Sequence, residues 1–271
     1  MRHFRIDAAR VRGALLFAAC ALASTGAVGQ GFSALVSPPR FEDRTQPGTT
    51  YRNVVEISNI SGASAHYTLK TADWHLDGQG AAVFDSALAP GSCRPWVGLE
   101  AAEIQVAANG KRRYRFEVAV PADAPVGECR FAIMLEGDPE AVGGGLALPV
   151  SGRIGIIVYL AVGEAAAKLQ LLDTSVGDVE GRKLPVLRVR NDGNAHGRLE
   201  GLIDGTDANG RKLSFAPSSL PLMPGETRTI VLTPQADDAA SAPPVVAYPL
   251  QLKGALDWGK QRLPLDTRLN P

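Results

Sequence analysis

Histidine, cysteine and aromatic residues are scarce in this sequence. Its 271 residues include 4 His and 3 Cys, and only 6% are aromatic. Catalytic and metal sites rely heavily on His and Cys side chains. The motifs that mark such sites are also missing, since there is no Gly-x-Ser-x-Gly elbow, phosphate-binding Gly-x-x-x-x-Gly-Lys loop or His-Glu-x-x-His pair. The sequence therefore predicts a protein that is not an enzyme and uses no metal or cofactor.

Two short patterns come nearest to a functional site. Asp73 and His75 would share one face of a strand, which could begin a metal or acid–base site, but no third partner follows them. Residues 204–210 superficially resemble a calcium loop but lack the distal Glu. We interpret the first pattern as a solvated pair and the second as a hairpin turn.

Charge of one sign is not in excess. The chain has 28 Lys and Arg against 28 Asp and Glu, and no basic cluster stands out from residue 30 onward. A nucleic-acid-binding protein would show such a cluster on one face. We therefore expect no nucleic-acid partner.

Long hydrophobic runs are confined to the N-terminus. Arginines between residues 2 and 12 precede the apolar run 13–23, and small residues follow to position 29. This order is typical of a secretory signal peptide, here residues 1–29, so we expect export to the periplasm. An alternative treats the segment from Phe17 to Cys20 as a lipoprotein cleavage box with a lipidated Cys20. No later run approaches the ~20 apolar residues of a membrane span.

Two cysteines remain after the signal peptide. In an oxidising compartment an even pair favours a disulfide, so we expect a bond between Cys93 and Cys129. The alternative is two buried free thiols. The pair is not a Cys-x-x-Cys motif, which argues against redox catalysis.

Short strand signals fill the rest of the chain. Alternating apolar residues, separated by Gly, Pro, Asn and Asp turns every 8–12 residues, predict an all-β protein. Small residues at 164–168 divide these signals into two sets. We predict two immunoglobulin-like β-sandwiches joined by a short linker, over residues 30–163 and 164–271. A change of phase along residues 184–189 suggests a bulge near Val186.

The longest strand signal covers residues 146–162. Alternate positions carry bulky aliphatic side chains for about seventeen residues, whereas strands usually have five or six. Pro149 lacks a backbone donor and favours a sheet edge for the first third. The run is either a long core strand or an edge strand that binds an extended partner.

The order of motifs resembles the PapD-like periplasmic pilus-assembly chaperones. The similarity lies in residues 36–41, 55–59, 104–111, 120–136, 191–196 and 222–228. It implies two immunoglobulin-like domains and a strand, here 146–162, that lends bulky residues to a subunit. The implied donors are Leu146, Leu148 and Val150, together with Ile154.

The resemblance also implies a cationic anchor for the subunit's terminal carboxylate. A guanidinium can hold a carboxylate through two hydrogen bonds. Arg40 is the first candidate and Arg44 the second. The family's Lys falls near Gly155, and Arg153 is the nearest cation.

These observations favour one function and leave an alternative. We predict a periplasmic chaperone that binds pilus or fimbrial subunits by donor-strand complementation, with an outer-membrane usher as a further partner. The alternative is an envelope accessory or structural β-sandwich protein that lends no strand, since fold does not fix function.

Overall fold

The computed structural model describes residues 32–141, 149–236 and 242–271. The predicted signal peptide, Cys20, Leu146 and Leu148 lie outside these residues. The described part of the N-terminal domain contains twelve strands and one 3₁₀ turn, Arg94–Trp96. The strands are β1 (Ala34–Ser37), β2 (Arg40–Thr45), β3 (Thr50–Asn59), β4 (Ala65–Leu76), β5 (Ala82–Asp85), β6 (Val97–Leu99), β7 (Glu103–Val106), β8 (Lys111–Ala119), β9 (Gly127–Gly137), β10 (Glu140–Ala141), β11 (Pro149–Val150) and β12 (Arg153–Val162).

Seven strands form the described part of the C-terminal domain. They are β13 (Leu169–Val179), β14 (Arg182–Asn191), β15 (Ile203–Thr206), β16 (Lys212–Pro217), β17 (Thr227–Pro234), β18 (Leu250–Trp258) and β19 (Gln261–Leu269). The prediction of an all-β chain with two immunoglobulin-like sandwiches joined by a short linker is confirmed.

Ten of the described strands of the N-terminal domain form two sheets, and β10 and β11 pair separately with each other. One has the order β1-β3-β8-β6, and the other has the order β2-β12-β9-β4-β5, with β7 also paired to β4. Alternate residues of these strands are apolar and point between the sheets, where they form one core. The predicted Cys93–Cys129 disulfide is present in this core, and it joins the segment before β6 to β9.

The first segment of the domain belongs to both sheets. β1 pairs antiparallel with β3, and after Pro38 and Pro39 the chain continues as β2, which pairs parallel with β12. Proline cannot donate a ladder hydrogen bond, so a pair of prolines suits the crossing between sheets. This crossing determines how much of β12 has a neighbour on that side.

The seven described strands of the C-terminal domain are paired in one continuous order, which folds over the core as two sheets that share β17. The order is β13-β14-β17-β16-β15-β18-β19, and the first and last strands approach each other, with Thr174 Oγ1 and Thr267 Oγ1 3.3 Å apart. Leu187, Phe215, Leu252 and other apolar residues fill the interior. This core is separate from that of the N-terminal domain.

One buried asparagine ends a strand in each domain. Asn59 at the end of β3 donates to the carbonyls of Ala63, Val106 and Ala107, and its carbonyl oxygen accepts from the Ser61 N–H. Asn191 at the end of β14 makes comparable bonds. It donates to Ala195 O and Leu222 O, and it accepts from the N–H groups of Lys168 and Gly193. Both side chains therefore supply loop backbone groups with partners that buried peptide groups require.

Two local expectations are wrong. The predicted continuous strand 146–162 is interrupted at Ser151 and Gly152, so β12 begins at Arg153. The bulge expected near Val186 lies on the neighbouring strand, where the register shifts between Leu171 and Asp173. The phase change in β14 arises because residues 184–187 are all buried, which the alternation of a one-faced strand does not predict.

Candidate partner-binding site

The first four residues of β12 have a free margin. β12 pairs with β9 along its whole length, from Arg153 opposite Glu136 to Val162 opposite Gly127. Its other side pairs with β2 only from Ile157 onward, where Arg40 is the first partner. Within the described residues, positions 153–156 therefore have no neighbouring strand on the β2 side. An unpaired edge of this kind is a template for strand addition.

The direction of the backbone groups on this margin follows from its last bond. Ile157 donates its N–H to Pro39 O at 3.1 Å, where β2 begins. Because the hydrogen-bonding direction alternates along a strand, Gly155 and Arg153 direct their N–H groups to the same side. These two donors would form the first ladder bonds to an added strand.

The apolar row of β12 faces the protein's own core for most of its length. Ile156, Val158 and Leu160 are fully buried, and only Ile154 is partly exposed. The row from Ile156 onward, which lies beyond the four predicted donors, is therefore not available to a partner. These side chains instead complete the N-terminal sandwich.

Gly152, which lies just before β12 in the same apolar row, is covered by the aromatic ring of Phe32. Phe32 packs over Gly152 and Gly137 so closely that a Cβ on Gly152 would meet the Phe32 Cγ at 2.1 Å. The Phe32 ring also makes an edge contact with Tyr67, with centroids 6.0 Å apart. A side chain larger than hydrogen at position 152 would displace Phe32.

The predicted cationic residues do not form one clamp. Arg40 starts β2, its side chain is 52% exposed, and its Nε lies 2.7 Å from Glu42 Oε1. Arg40 pairs with Ile157 of β12, and Arg153 lies four residues before Ile157 on the same strand. Arg40 and Arg153 are therefore about 13 Å apart along the strand direction. Arg44 donates instead to the carbonyls of Gly163 and Ala165 in the linker.

Gly155, the position of the family's Lys, is covered by an aromatic ring. A Cβ added there would meet the Phe84 ring at 2.3 Å. Phe84 pairs opposite Trp74, and both residues belong to an apolar cluster on the outer face of the larger sheet. Of the predicted donors, Leu146 and Leu148 lie outside the described residues, and Val150 is placed only by its backbone pairing with Glu140.

The Asp73–His75 pair has a structural explanation. Asp73 accepts from Ser92 Oγ and Ala89 N, and its carboxylate lies 3.2 Å from Arg94 Nη1. Burial raises the pKa of the Asp73 carboxyl, but these contacts outweigh burial and lower it. His75 is exposed. The described ranges contain no group of three His, Cys, Asp or Glu side chains arranged to hold a metal ion.

A polar cluster between the domains was not predicted from the sequence. Its members come from β2, β9 and β12 of the N-terminal domain and from the segment after β14. They are Glu42, Glu128, Arg130, Tyr159, His196 and Arg198. We call these six residues the interdomain cluster.

His196 is at the centre of the interdomain cluster. Its Nδ1 lies 2.5 Å from Glu128 Oε2, its Nε2 lies 3.6 Å from Glu42 Oε2, and its ring stacks on Tyr159 at 3.8 Å. Arg198 bonds to Glu42 and lies over the Tyr159 ring. The sequence around His196 gives no signal for these contacts. The N-terminal residues that His196 contacts lie at least 37 positions away along the chain, in other elements.

Comparisons with known proteins gave matches to solved structures at low sequence identity. Searches found no matching protein-family profile and no matching curated protein. Solved structures similar to this chain include the YadV chaperone, at 10% identity and a TM-score of 0.47, covering 88% of this chain and 100% of that one. The E. coli chaperone DraB matches at 13% identity and a TM-score of 0.46, and the alignment covers 89% of this chain and 98% of that one.

A third similar structure is the Salmonella enterica SafA pilin in complex with the SafB chaperone. It matches at 15% identity and a TM-score of 0.46, covering 89% of this chain and 98% of that one. Each of these three alignments extends over most of this chain and nearly all of the matched chain. Within the described residues, no helix has the length and apolar character needed to cross a membrane.

Proposed function

We propose that this protein is a periplasmic chaperone that binds pilus-type subunits through the free margin of β12 and the residues before it. The observation that carries the proposal is the β2 side of residues 153–156, which has no strand partner among the described residues and ends where β2 begins. An extended subunit segment would add to this margin through the N–H groups of Arg153 and Gly155. Alternate side chains would then give specificity.

The side chains lent to the subunit belong to the residues preceding β12. Leu146, Leu148 and Val150 are the proposed donors, and Ile154 continues their row at the margin. Ile156 and the later residues of the row are excluded because they fill the protein's own core. Arg40, exposed at the closed end of the margin, is the proposed contact for a carboxylate, and Arg153 is the proposed cation at the other end.

An export signal and the other expected partner belong to the same proposal. We place the protein in the periplasm on the pattern of residues 1–29, and the disulfide is consistent with an oxidising compartment. An outer-membrane usher would receive the complex. The protein performs no catalysis in this proposal.

The test is a substitution at Leu148. Leu148→Asp should abolish recovery of co-expressed subunits in a periplasmic pull-down, because a carboxylate cannot enter an apolar groove without a large desolvation cost. Leu202→Asp is the matched control, since Leu202 is 58% exposed in the C-terminal domain. If Leu148→Asp and wild type retain the same partners, strand donation is wrong and the accessory-protein alternative takes its place.

A further inference from the structure

We propose that His196 is an acid-strengthened latch between the two domains. Protonation of its imidazole tightens the contact between the C-terminal domain and strands β2 and β9, and deprotonation loosens that contact. The inference rests on the interdomain cluster and is independent of the proposed chaperone function.

The geometry places one titratable ring between two carboxylates of the other domain. His196 is 11% exposed at its side chain and Glu128 is 3% exposed, so their 2.5 Å contact is shielded from solvent. Glu42 faces the opposite ring nitrogen at 3.6 Å. Charges attract more strongly where water is excluded. An imidazolium at this position would therefore bind two strands of the N-terminal domain.

Cations also face the ring and determine how strong the latch can be. Arg198 Nη1 lies 3.1 Å from His196 Nε2, which opposes a proton on that nitrogen, but the same guanidinium is engaged with Glu42. Arg130 lies 3.6 Å from Glu128 and stacks over Trp74. Arg40 also contacts Glu42, at 2.7 Å, so with His196 neutral three guanidinium groups face two carboxylates. A proton on His196 is favoured because Glu128 is the closest charged group.

The direction of the pH effect follows from the two pKa shifts. Burial lowers the pKa of the His196 imidazole, but Glu128 and Glu42 outweigh burial and raise it above 6.5. The His196 side chain is the largest influence on Glu42; burial opposes it, Arg198 and Arg40 add to it, and the pKa falls to about 2. The His196 contribution is thus complete below 6.5 and lost as pH rises through the raised pKa. The Glu42 contribution is complete above 4.5 and lost toward 2.

A backbone amide reports the state of the latch. The His196 N–H donates to Glu128 Oε2 across the interface at 3.1 Å, whereas the Gly197 N–H donates to Leu222 O within the C-terminal domain at 3.0 Å. Opening the interface exposes the first amide and leaves the second protected. The ratio of the two protection factors therefore measures the interdomain contact alone.

The experiment is hydrogen exchange on the full chain from about pH 5.5 to about pH 8.5, corrected for intrinsic exchange, with NMR titration of the His196 ring. The His196:Gly197 protection ratio should fall as pH rises. The total fold-change in this protection ratio should equal the ratio of two acid dissociation constants of the His196 imidazole, one with the interface open and one with it closed. A ratio that does not change with pH would overturn the latch, as would a His196 ring that titrates at or below the ordinary histidine pKa.

Two variants separate the latch from a purely structural role. His196→Gln keeps a hydrogen-bond donor but cannot titrate, so the protection ratio should become independent of pH. Glu128→Gln keeps the shape of the acceptor but removes its charge, so the His196 pKa should fall toward its ordinary value. If His196→Gln does not fold, the Glu128→Gln titration decides, and an unchanged His196 pKa in that variant contradicts the proposal.

Discussion

At the residue scale, the buried asparagines have the clearest structural role. Asn191 supplies two donors and one doubly used acceptor to backbone groups that have no water available. Buried polar groups left without partners cost about 1–3 kcal/mol each. Loop geometry near the interdomain cluster therefore depends on one side chain.

Replacing Asn191 with Ala should lower the free energy of unfolding of the C-terminal domain by about 2–4 kcal/mol, because several buried backbone groups lose their partner. Urea denaturation followed by Trp258 fluorescence would measure the change. The control is Asn270→Ala, whose side chain is exposed and should alter stability by less than about 0.5 kcal/mol. Equal stability of the two variants would contradict this role of Asn191.

The sequence predicted the position of Asn191 but not its burial. The Asn-Asp-Gly-Asn run indicates a turn, and a turn lies there. The partners of its side-chain amide, however, lie 2 to 31 positions away along the chain, and the most distant are Leu222 and Lys168. The same limit applies to His196 and Glu128, which are 68 residues apart. Local patterns specify local conformation, whereas these contacts require the packed domains.

At the element scale, the two parts of β12 differ in the strands that flank them. From Ile157 onward it is enclosed by β2 and β9, whereas residues 153–156 pair, among the residues that the structure describes, only with β9. The division follows from the crossing at Pro38 and Pro39. A strand that is half core and half edge reads as one continuous alternation in the sequence, because inward-facing residues are apolar in both parts.

Arg153→Pro should weaken subunit binding by about tenfold, while Arg153→Ala should retain most of the affinity. Proline removes an N–H that faces the free margin and breaks no bond to β9, and one hydrogen bond contributes about 0.5–1.5 kcal/mol. Titration calorimetry with a purified subunit would measure both. Equal losses for the two variants would assign the effect to the Arg153 charge rather than to the backbone.

The sequence predicted most strands of the N-terminal domain and their turns. In the sequence, Tyr114 and Phe116, Val55 and Ile57, and Tyr67 and Leu69 each stand two positions apart, which indicates strands, and all six side chains enter the core. The alternation missed the full extent of β13, whose positions after Leu172 are mostly polar or small. It also could not show that Phe84 covers Gly155, because side-chain contacts between strands distant in sequence leave no periodic signal.

At the scale of the whole molecule, each domain has its own core, and the contacts between domains are largely polar. Arg44 binds the linker carbonyls, and the interdomain cluster joins the facing surfaces, with Met223 packed on the apolar cluster around Trp74. Polar interfaces of this kind depend on pH and salt more than apolar cores do. The two domains are thus expected to unfold in separate transitions.

Removing the disulfide should destabilise one of these transitions only. The double variant Cys93→Ala with Cys129→Ala opens a loop whose ends are 36 positions apart, worth about 3–4 kcal/mol in the chain-entropy model. Differential scanning calorimetry should show a lower melting temperature for the N-terminal domain and an unchanged one for the C-terminal domain. A loss shared equally by both domains would indicate that they unfold as one unit.

The start of β2 closes one end of the free margin of β12. Any extended segment that adds to residues 153–156 and slides toward the middle of the strand must halt at Pro39 and Arg40, because β2 already occupies the next positions. The register of the added segment would then be set by where its chain ends, with no need to read its sequence. The closed end of the margin therefore fixes the register of the added segment. A segment with one extra residue at the end that meets Arg40 should bind with every side chain turned to the opposite face.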